Sequence, residues 1–195
     1  MPTVVYAIGH STRTIDDFIE ILQAHSISML VDIRTIPKSR HNPQFNEEPL
    51  KAGLEAKCIT YMHFKELGGL RKAKKDSINT GWQNASFRGF ADYMQTREFA
   101  SAIRQLMRMA RLGRTVLLCA EGNPFRCHRS LVADALTVRK VRVLHISSRT
   151  SVRAHILTPF AQVHGTRITY PAAPPANTPR ARKVRQKIDS RSPGR

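Results

Sequence analysis

Two thiols, a carboxylate, an imidazole and two guanidinium groups lie close together in the segment 119–130. An apolar run, Thr115–Cys119, leads into this segment and an amphipathic run follows it, so we predict a strand-to-helix loop. A cysteine near a helix N-terminus feels the positive end of the peptide dipoles, and nearby arginines also favour the thiolate. The pattern therefore indicates thiol chemistry, although polar residues in such loops also serve simply as helix caps.

Cys127 is the candidate nucleophile, with His128 or His10 as the base that accepts its proton. Cys119 ends an apolar strand and is expected to be a small buried side chain. A disulfide between the two cysteines stays open, because sequence does not supply the geometry that such a bond requires. A metal site built from Cys119, Cys127 and His128 would lack the close Cys-x-x-Cys pairing of zinc sites, so we expect no metal. The pattern identifies no cofactor.

Polar residues also follow two other predicted strands. His10 and Ser11 come after the strand 3–8, and Asp32 and Arg34 lie at the end of the strand 29–33. In open α/β sheets ligands bind at the carboxyl ends of the strands, so one shared crevice is expected. The candidate catalytic residues are Cys127, Glu121, His10 and Asp32, and the candidate substrate-binding residues are Ser11, Arg34, Ser39, Arg40, Cys119, His128 and Arg129.

The chemistry expected of these groups follows from their charge. The arginines would hold an anionic part of the substrate, because guanidinium groups pair well with phosphate and carboxylate. Glu121 and Asp32 would act as general acid or base, or would orient the arginines.

Five short apolar runs, typical of buried strands, alternate with segments of helical period. They cover residues 3–8, 29–33, 59–64, 115–119 and 141–146. This alternation predicts a three-layer α/β fold, in which a mostly parallel sheet of about five strands carries helices on both faces. Helices are expected from Ile15, at 49–57, at 90–111 and from Leu131, with a long loop at 65–89, a last helix near Val152 and an edge strand at 166–170.

The net charge of the chain indicates which partners it could bind. The chain of 195 residues has a formal net charge of +18, which attracts phosphates and suits a nucleic-acid partner. Residues 171–195 hold seven basic residues and one acidic residue among five prolines, so we predict a disordered basic tail after a single domain at 1–170. That tail is either a nucleic-acid-binding arm or a merely solvated extension.

The number of cysteines and the hydropathy of the chain indicate its cellular compartment. Three cysteines are too few for a disulfide scaffold, and the first residues lack a charged-then-apolar signal, so we expect a cytoplasmic protein. No apolar run approaches the roughly 20 residues needed to span a bilayer, so no membrane partner is expected. The sequence does not indicate an oligomeric state.

Six motifs stand in a fixed order along the chain. They are Gly9-His10-Ser11, Val31-Asp32-Ile33-Arg34, Pro37-Lys38-Ser39-Arg40 followed by Phe45, Leu67-Gly68-Gly69, Cys119-Ala120-Glu121 and Cys127-His128-Arg129. Together they resemble the signature of the domain of unknown function 488 (DUF488) family, from about Tyr6 to Ile146. The resemblance implies a site at these residues and leaves its reaction unnamed. The chain departs from the family's pattern at Lys57-Cys58, where a small residue and glycine are usual, and at Lys140.

A second similarity is to rhodanese-type sulfurtransferases, which place an Asp-x-Arg strand before a catalytic cysteine loop and an Arg-Ser helix start. Asp32 to Arg34, Cys119 and Arg129-Ser130 stand in the corresponding order here, but the loop between them is longer. The Cys-x5-Arg spacing of thiol phosphatases is absent, because Arg126 follows Cys119 by seven positions. Both similarities are therefore analogies.

Two functions are consistent with these patterns. The first is an enzyme that binds an anionic, phosphorylated or nucleotide-like small molecule in the crevice at the strand ends. The second is a nucleic-acid-associated module that uses the basic run 71–75, the basic loop near Arg40 and the tail. Trp82, Phe87, Phe90 and Tyr93 form the only aromatic cluster, and core packing is expected to explain most of it, which argues against a dedicated single-strand binder. The enzyme is the preferred hypothesis, and its reaction class, hydrolase or transferase, stays open.

Overall fold

The computed structural model describes residues 3–172, so the predicted tail falls outside that range except for residues 171 and 172. The strands are β1 (Val4–Gly9), β2 (Met29–Asp32), β3 (Thr60–His63), β4 (Thr115–Cys119), β5 (Arg142–Ile146), β6 (Val152–Ala154), β7 (Gln162–His164) and β8 (Arg167–Thr169). Six of them form one sheet in the order β3-β2-β4-β1-β5-β6, while β7 and β8 form a separate antiparallel hairpin. Strands β1 to β5 are parallel and β6 is an antiparallel edge, so the predicted mostly parallel sheet is confirmed with one further strand.

Helices cover both faces of this sheet. They are α1 (Ile15–Ala24), α2 (Glu47–Glu55), α3 (Ala85–Tyr93), α4 (Arg97–Met109) and α5 (Arg129–Thr137). Tyr6 and Ile8 of β1 pack with the apolar side chains of α1 and α2, whereas Val5 and Ala7 pack with those of α3, α4 and α5. Successive residues of a strand face opposite sides, so each strand contributes to two cores and the three-layer architecture is confirmed. No helix within residues 3–172 is long and apolar enough to cross a membrane.

Two of the predicted helices are wrong. The segment 90–111 is divided between α3 and α4, because Thr96 starts a new helix by accepting a hydrogen bond from the Phe99 amide at 3.2 Å. The apolar stripe continues across the break, so its period did not reveal the division. The segment near Val152 is the edge strand β6 instead of a helix. The strand predicted at 166–170 is present as β8, where it pairs with β7.

Two residues before strands adopt left-handed backbone conformations. Cys58 has φ of 57° ahead of β3, and Lys140 has φ of 64° ahead of β5. Glycine occupies this region without the steric cost that a Cβ imposes. Cys58 and Lys140 are among the residues at which the sequence was expected to depart from the pattern that it resembles, and the structure has ordinary side chains there where the backbone favours glycine.

Candidate functional site

The order of the sheet brings the carboxyl ends of three strands together. Strand β4 lies between β1 and β2, and the amide of His10 donates to the Cys119 carbonyl at 3.0 Å just beyond the strands. A cavity of about 500 Å³ opens at this edge. It is lined by seven of the predicted site residues, His10, Arg34, Ser39, Cys119, Glu121, Cys127 and His128. The other four, Ser11, Asp32, Arg40 and Arg129, do not line it, and Arg40 is exposed to solvent.

Two glycines of the motifs allow the loops to approach one another. A Cβ on Gly9 would lie 1.8 Å from the Glu121 carbonyl oxygen, and one on Gly69 would lie 2.4 Å from the Nδ1 atom of His128. Both separations are far below van der Waals contact, so a side chain at either position would force a backbone loop or the imidazole to move. The glycines therefore set the position of Glu121 and His128 in the cavity wall.

The two thiols of the site interact directly with one imidazole. Cys119 Sγ lies 3.9 Å from His128 Nδ1, and Cys127 Sγ lies 3.8 Å from the same atom. A hydrogen bond from the Cys127 thiol and the neighbouring imidazole lower the pKa of Cys119 well below its ordinary value. The same hydrogen bond, together with burial, raises the pKa of Cys127. The directions of these two pKa shifts favour the thiolate form at Cys119 and the thiol form at Cys127.

The other ring nitrogen fixes the orientation of His128. Its Nε2 atom lies 3.0 Å from the Ile33 carbonyl oxygen, and because a carbonyl only accepts, Nε2 carries a proton. Nδ1 is therefore the atom presented to Cys119 and Cys127. Since Ile33 follows directly after β2, this contact also links the cysteine loop to the neighbouring strand end.

Arg129 supplies a positive charge behind the thiols. It is 1 % exposed, and burial is the main reason that its pKa lies below its ordinary value. Its Nη2 atom donates to the Gly122 carbonyl at 3.4 Å, but Nε and Nη1 have no hydrogen-bond partner within residues 3–172. Cys127, Cys119 and Glu121 supply negative charge that compensates this guanidinium, and in return Arg129 favours a thiolate at the cysteine pair.

Asp32 is engaged in a buried ion pair with Arg34. Its Oδ1 atom accepts from the backbone amide and the Nε atom of Arg34 at 3.0 and 2.9 Å, and Tyr61 donates its hydroxyl to Oδ2 at 3.0 Å. Burial, followed by the nearby carboxylate, raises the pKa of Tyr61 and keeps its hydroxyl protonated. Of the two roles expected for Asp32, this arrangement favours orienting an arginine, and it leaves Arg34 lining the cavity.

His10 presents an unpartnered nitrogen at the same site. Its Nδ1 atom donates to the Ser11 carbonyl at 2.8 Å, and its ring stacks on Phe45 with the centroids 4.3 Å apart. Nε2 is buried and has no hydrogen-bond partner among residues 3–172. Burial is the main cause that lowers the pKa of His10, so the ring is neutral near pH 7 with a free lone pair on Nε2.

One donor set within the described residues is arranged as metal ligands would be. The Sγ atoms of Cys119 and Cys127 and the ring nitrogen of His128 lie within 4.8 Å of one another. Two thiolates and an imidazole are ligands that zinc accepts. Holding the metal would require both thiols to ionise, and the buried charge of Arg129 opposes a cation at this place. We therefore interpret the site as a thiol pair.

Several residues of the site were not predicted. Lys38 and Arg126 add positive charge to the cavity wall, and Asn84, Ser86 and Phe87 reach it from the start of α3. The segment that leads into α3 has no regular apolar period, so no sequence pattern predicted that it would reach the strand ends. Asn84 is the one usable sequence signal in this segment, because asparagine is a preferred residue at helix N-caps. In the structure its side chain does accept a hydrogen bond from the Ser86 amide at 2.8 Å.

A family model, described as Domain of unknown function DUF488, matches residues 14–136. The match includes the cysteine loop, the Asp32–Arg34 strand end and the Gly68-Gly69 turn, which together surround most of the cavity. Neither a curated protein nor a solved structure matches the chain. Because the family model covers more than half of its length, the chain belongs to the DUF488 family.

Proposed function

We propose that the protein is a thiol-dependent enzyme that acts on an anionic substrate bound at the carboxyl ends of β1, β2 and β4. The observation that carries the proposal is the placement of Cys119 and Cys127 in the cavity wall, with their sulfurs 3.9 and 3.8 Å from His128 Nδ1. A thiolate is the reactive form of cysteine, and a depressed pKa supplies it at neutral pH. The three thiols of the described chain are free, in line with a reducing, cytoplasmic compartment.

The pKa directions favour Cys119 over Cys127 as the nucleophile, although the Arg129 amide donates to the Cys127 sulfur at 3.4 Å. The sequence makes Cys127 the candidate nucleophile because it lies near a predicted helix start, beside a possible base and an arginine. However, hydrogen bonding and burial raise the pKa of Cys127, and the Cys127 thiol acts as a donor toward Cys119. We therefore assign Cys119 the attack on the substrate, and Cys127 the stabilisation of the thiolate.

Charges around the cavity determine which substrates it accepts. Arg34, Lys38 and Arg126 line it, while Glu121 is the one acidic residue in its wall. Arg34 is held in place by Asp32, so its guanidinium is oriented before a ligand arrives. This balance favours a phosphate, or another compact anion, close to the Cys119 thiolate.

The proposed reaction has two steps. The Cys119 sulfur forms a bond to an electrophilic centre of the substrate, and the bond to the leaving group breaks, so that group departs with its electron pair and takes a proton from solvent. In the second step, His10 Nε2 accepts a proton from water, the water oxygen attacks the same centre, and the thiolate leaves. The free lone pair and the neutral state of His10 suit it to this role.

The test is alkylation of the full chain with iodoacetamide between pH 5 and 9, with each cysteine followed by peptide mass mapping. We expect Cys119 to react with an apparent pKa below the value of about 8.5 of a free thiol. Phosphate should slow this reaction, because it would occupy the basic cavity. Cys58, which is exposed ahead of β3, provides a control for reagent access within the same molecule.

Two variants complete this test. Cys119→Ser should remove the reaction that persists at low pH, whereas Cys127→Ala should raise the apparent pKa of Cys119 because the thiol donor is lost. The proposal fails if neither site cysteine reacts with a pKa below 8.5, or if phosphate protects Cys58 as well as it protects Cys119.

Nucleic-acid association remains a second candidate, on the basis of one exposed basic segment. Lys72, Lys74 and Lys75 are exposed in the loop between β3 and α3. Arg71 is engaged differently, since its guanidinium lies 3.8 Å from the centre of the Tyr93 ring. Affinity for DNA and RNA should fall as salt rises if the lysines contact phosphates, and a flat salt dependence would exclude this function.

A further inference from the structure

A second cavity adjoins the one that holds the thiols. It has a volume of about 430 Å³ and is lined by Trp82, Asn84, Phe87, Glu121, Phe125 and Arg126. Four of these residues, Asn84, Phe87, Glu121 and Arg126, also line the thiol cavity. The two cavities therefore share a wall, and one ligand of moderate size can occupy both. We call the second cavity the aromatic compartment.

The aromatic compartment offers flat apolar surface at an open site. The Trp82 and Phe87 rings lie with their centroids 4.7 Å apart, and Phe125 is 67 % exposed. Within residues 3–172 no other aromatic ring packs against Phe125. An exposed phenyl group beside a cavity is a surface on which a planar ring of a ligand can stack.

Phe125 is also held in a defined position. It lies in the short 3-10 turn Pro124–Arg126, within the loop that joins the two site cysteines. Asn123 caps this turn by accepting a hydrogen bond from the Phe125 amide at 3.0 Å. The ring is therefore carried by the same loop that positions the thiols, a short distance along the chain from the reacting group.

Polar groups at the compartment suit the edge of a heterocyclic base. Glu121 offers an exposed carboxylate as an acceptor. The Asn84 side chain uses its oxygen to cap α3, and its amide nitrogen supplies further donors. A planar ring with both donors and acceptors on its rim would be recognised here by stacking and hydrogen bonding together.

From this juxtaposition we propose that the ligand is a nucleotide unit, with its base in the aromatic compartment and its phosphate in the basic thiol cavity. Arg126 lies in both cavities and is placed between the two parts of such a ligand. The inference rests on the proposed function, because it assigns a substrate class to the same site. Two sources share this chemistry, a free mononucleotide and a nucleotide of a nucleic-acid strand.

Trp82 makes the inference directly measurable, because it is the one tryptophan of the chain. The four ribonucleoside 5′-monophosphates, ribose 5-phosphate, inorganic phosphate and a short single-stranded oligonucleotide are titrated into the full chain while its fluorescence is followed. Stacking in the compartment should quench Trp82, and a base should increase affinity about tenfold or more over ribose 5-phosphate. Quenching by the oligonucleotide but by none of the mononucleotides identifies a strand as the source.

Substitutions of the exposed ring separate stacking from phosphate binding. Phe125→Ala should lower affinity for the nucleotide about tenfold and leave affinity for ribose 5-phosphate unchanged, whereas Phe125→Tyr should retain both. Leu112→Ala, at an 82 % exposed apolar residue away from both cavities, is the matched control. Equal affinity for ribose 5-phosphate and every base-containing ligand, or no effect of Phe125→Ala, overturns the inference. In that case ribose 5-phosphate would still protect Cys119 from alkylation if the thiol-enzyme proposal is correct, so the two failures are distinguishable.

Discussion

Two charged residues of α5, Arg129 and Asp134, are both buried, but their surroundings differ. Asp134 is 0 % exposed and accepts four hydrogen bonds, from His155 Nε2 at 2.8 Å, the Thr158 amide at 3.1 Å, the Thr158 hydroxyl at 2.7 Å and the Tyr170 hydroxyl at 2.8 Å. Arg129 is 1 % exposed and makes one long hydrogen bond, to Gly122 at 3.4 Å. One charge is fully satisfied and the other is not.

We interpret the difference as a structural role for Asp134 and a part in the proposed function for Arg129. His155, Thr158 and Tyr170 all lie after β5, so Asp134 attaches the C-terminal part of the described chain to α5. Arg129 makes only one long side-chain hydrogen bond within the described residues, to Gly122, and its charge interacts with the thiols. A buried charge without hydrogen-bond partners destabilises the fold, and such groups concentrate where chemistry needs them. We expect substitutions of the two residues to change different properties of the protein.

The largest effect is expected from Asp134→Ala. It would leave four donors, on His155, Thr158 and Tyr170, without their acceptor, and should lower the free energy of unfolding by about 3–5 kcal/mol. Urea denaturation measures this loss. Molecules that remain folded should keep the low apparent pKa of Cys119. A loss of less than about 1 kcal/mol would show that the network does not stabilise the fold.

An intermediate effect is expected when the pH falls, because the Asp134 network contains a histidine that resists protonation. His145 Nε2 lies 3.0 Å from His155 Nδ1, and burial, followed by the charges of His155 and Arg129, lowers the pKa of His145 from 6.5 to about 4. The unfolded chain therefore binds a proton between these values that the folded chain does not. Stability contributed by neutral His145 is complete above pH 6.5 and is lost as the pH falls toward 4, on the order of 2 kcal/mol in total.

Urea denaturation at several pH values measures this loss, and two variants identify its source. His145→Gln should flatten the profile between pH 6.5 and 4, whereas His164→Gln, at an exposed histidine, should leave it unchanged. If both variants retain the wild-type profile, another group is responsible.

The smallest effect on stability is expected from Arg129→Met. The variant replaces a buried charge that has one long hydrogen bond with an apolar chain of similar length. The free energy of unfolding should therefore fall by less than about 1 kcal/mol or should rise. Alkylation of Cys119 near pH 7 should slow about tenfold, because the thiolate loses a compensating charge and its pKa rises. Arg108→Gln, at an exposed position of α4, is the matched control. Unchanged alkylation in Arg129→Met would remove Arg129 from the site.

Much of the site could be predicted from sequence because its residues stand at strand ends. The apolar runs located β1, β2 and β4, and the rule for ligand sites in parallel sheets then brought His10, Arg34 and Cys119 together. The ionisation of the thiols could not be predicted, since the pKa of Cys119 depends on where the Cys127 hydrogen bond points. Sequence order gives no information on that direction.

The aromatic compartment and the Asp134 network could not be predicted from the sequence, for a different reason. Trp82 and Phe87 pack against the core as expected, but the same rings also line a cavity, because the loop before α3 crosses the strand ends. Asp134 meets Tyr170 from 36 positions away along the chain, and no periodic pattern connects such partners. Contacts of this kind depend on the complete fold.

The central position of β4 has a consequence for the motions of the protein. Strand β4 is hydrogen-bonded to β1 on one side and to β2 on the other, and Cys119 is its last residue. Local opening is easiest at sheet edges, so we expect the amides in the middle of β4 to exchange slowly and those of β6, at the sheet edge, to exchange early. Opening of the outer strands should then leave the Cys119 sulfur in place, and under the proposed function reagents would reach it through the mouth of the cavity while the fold stays closed.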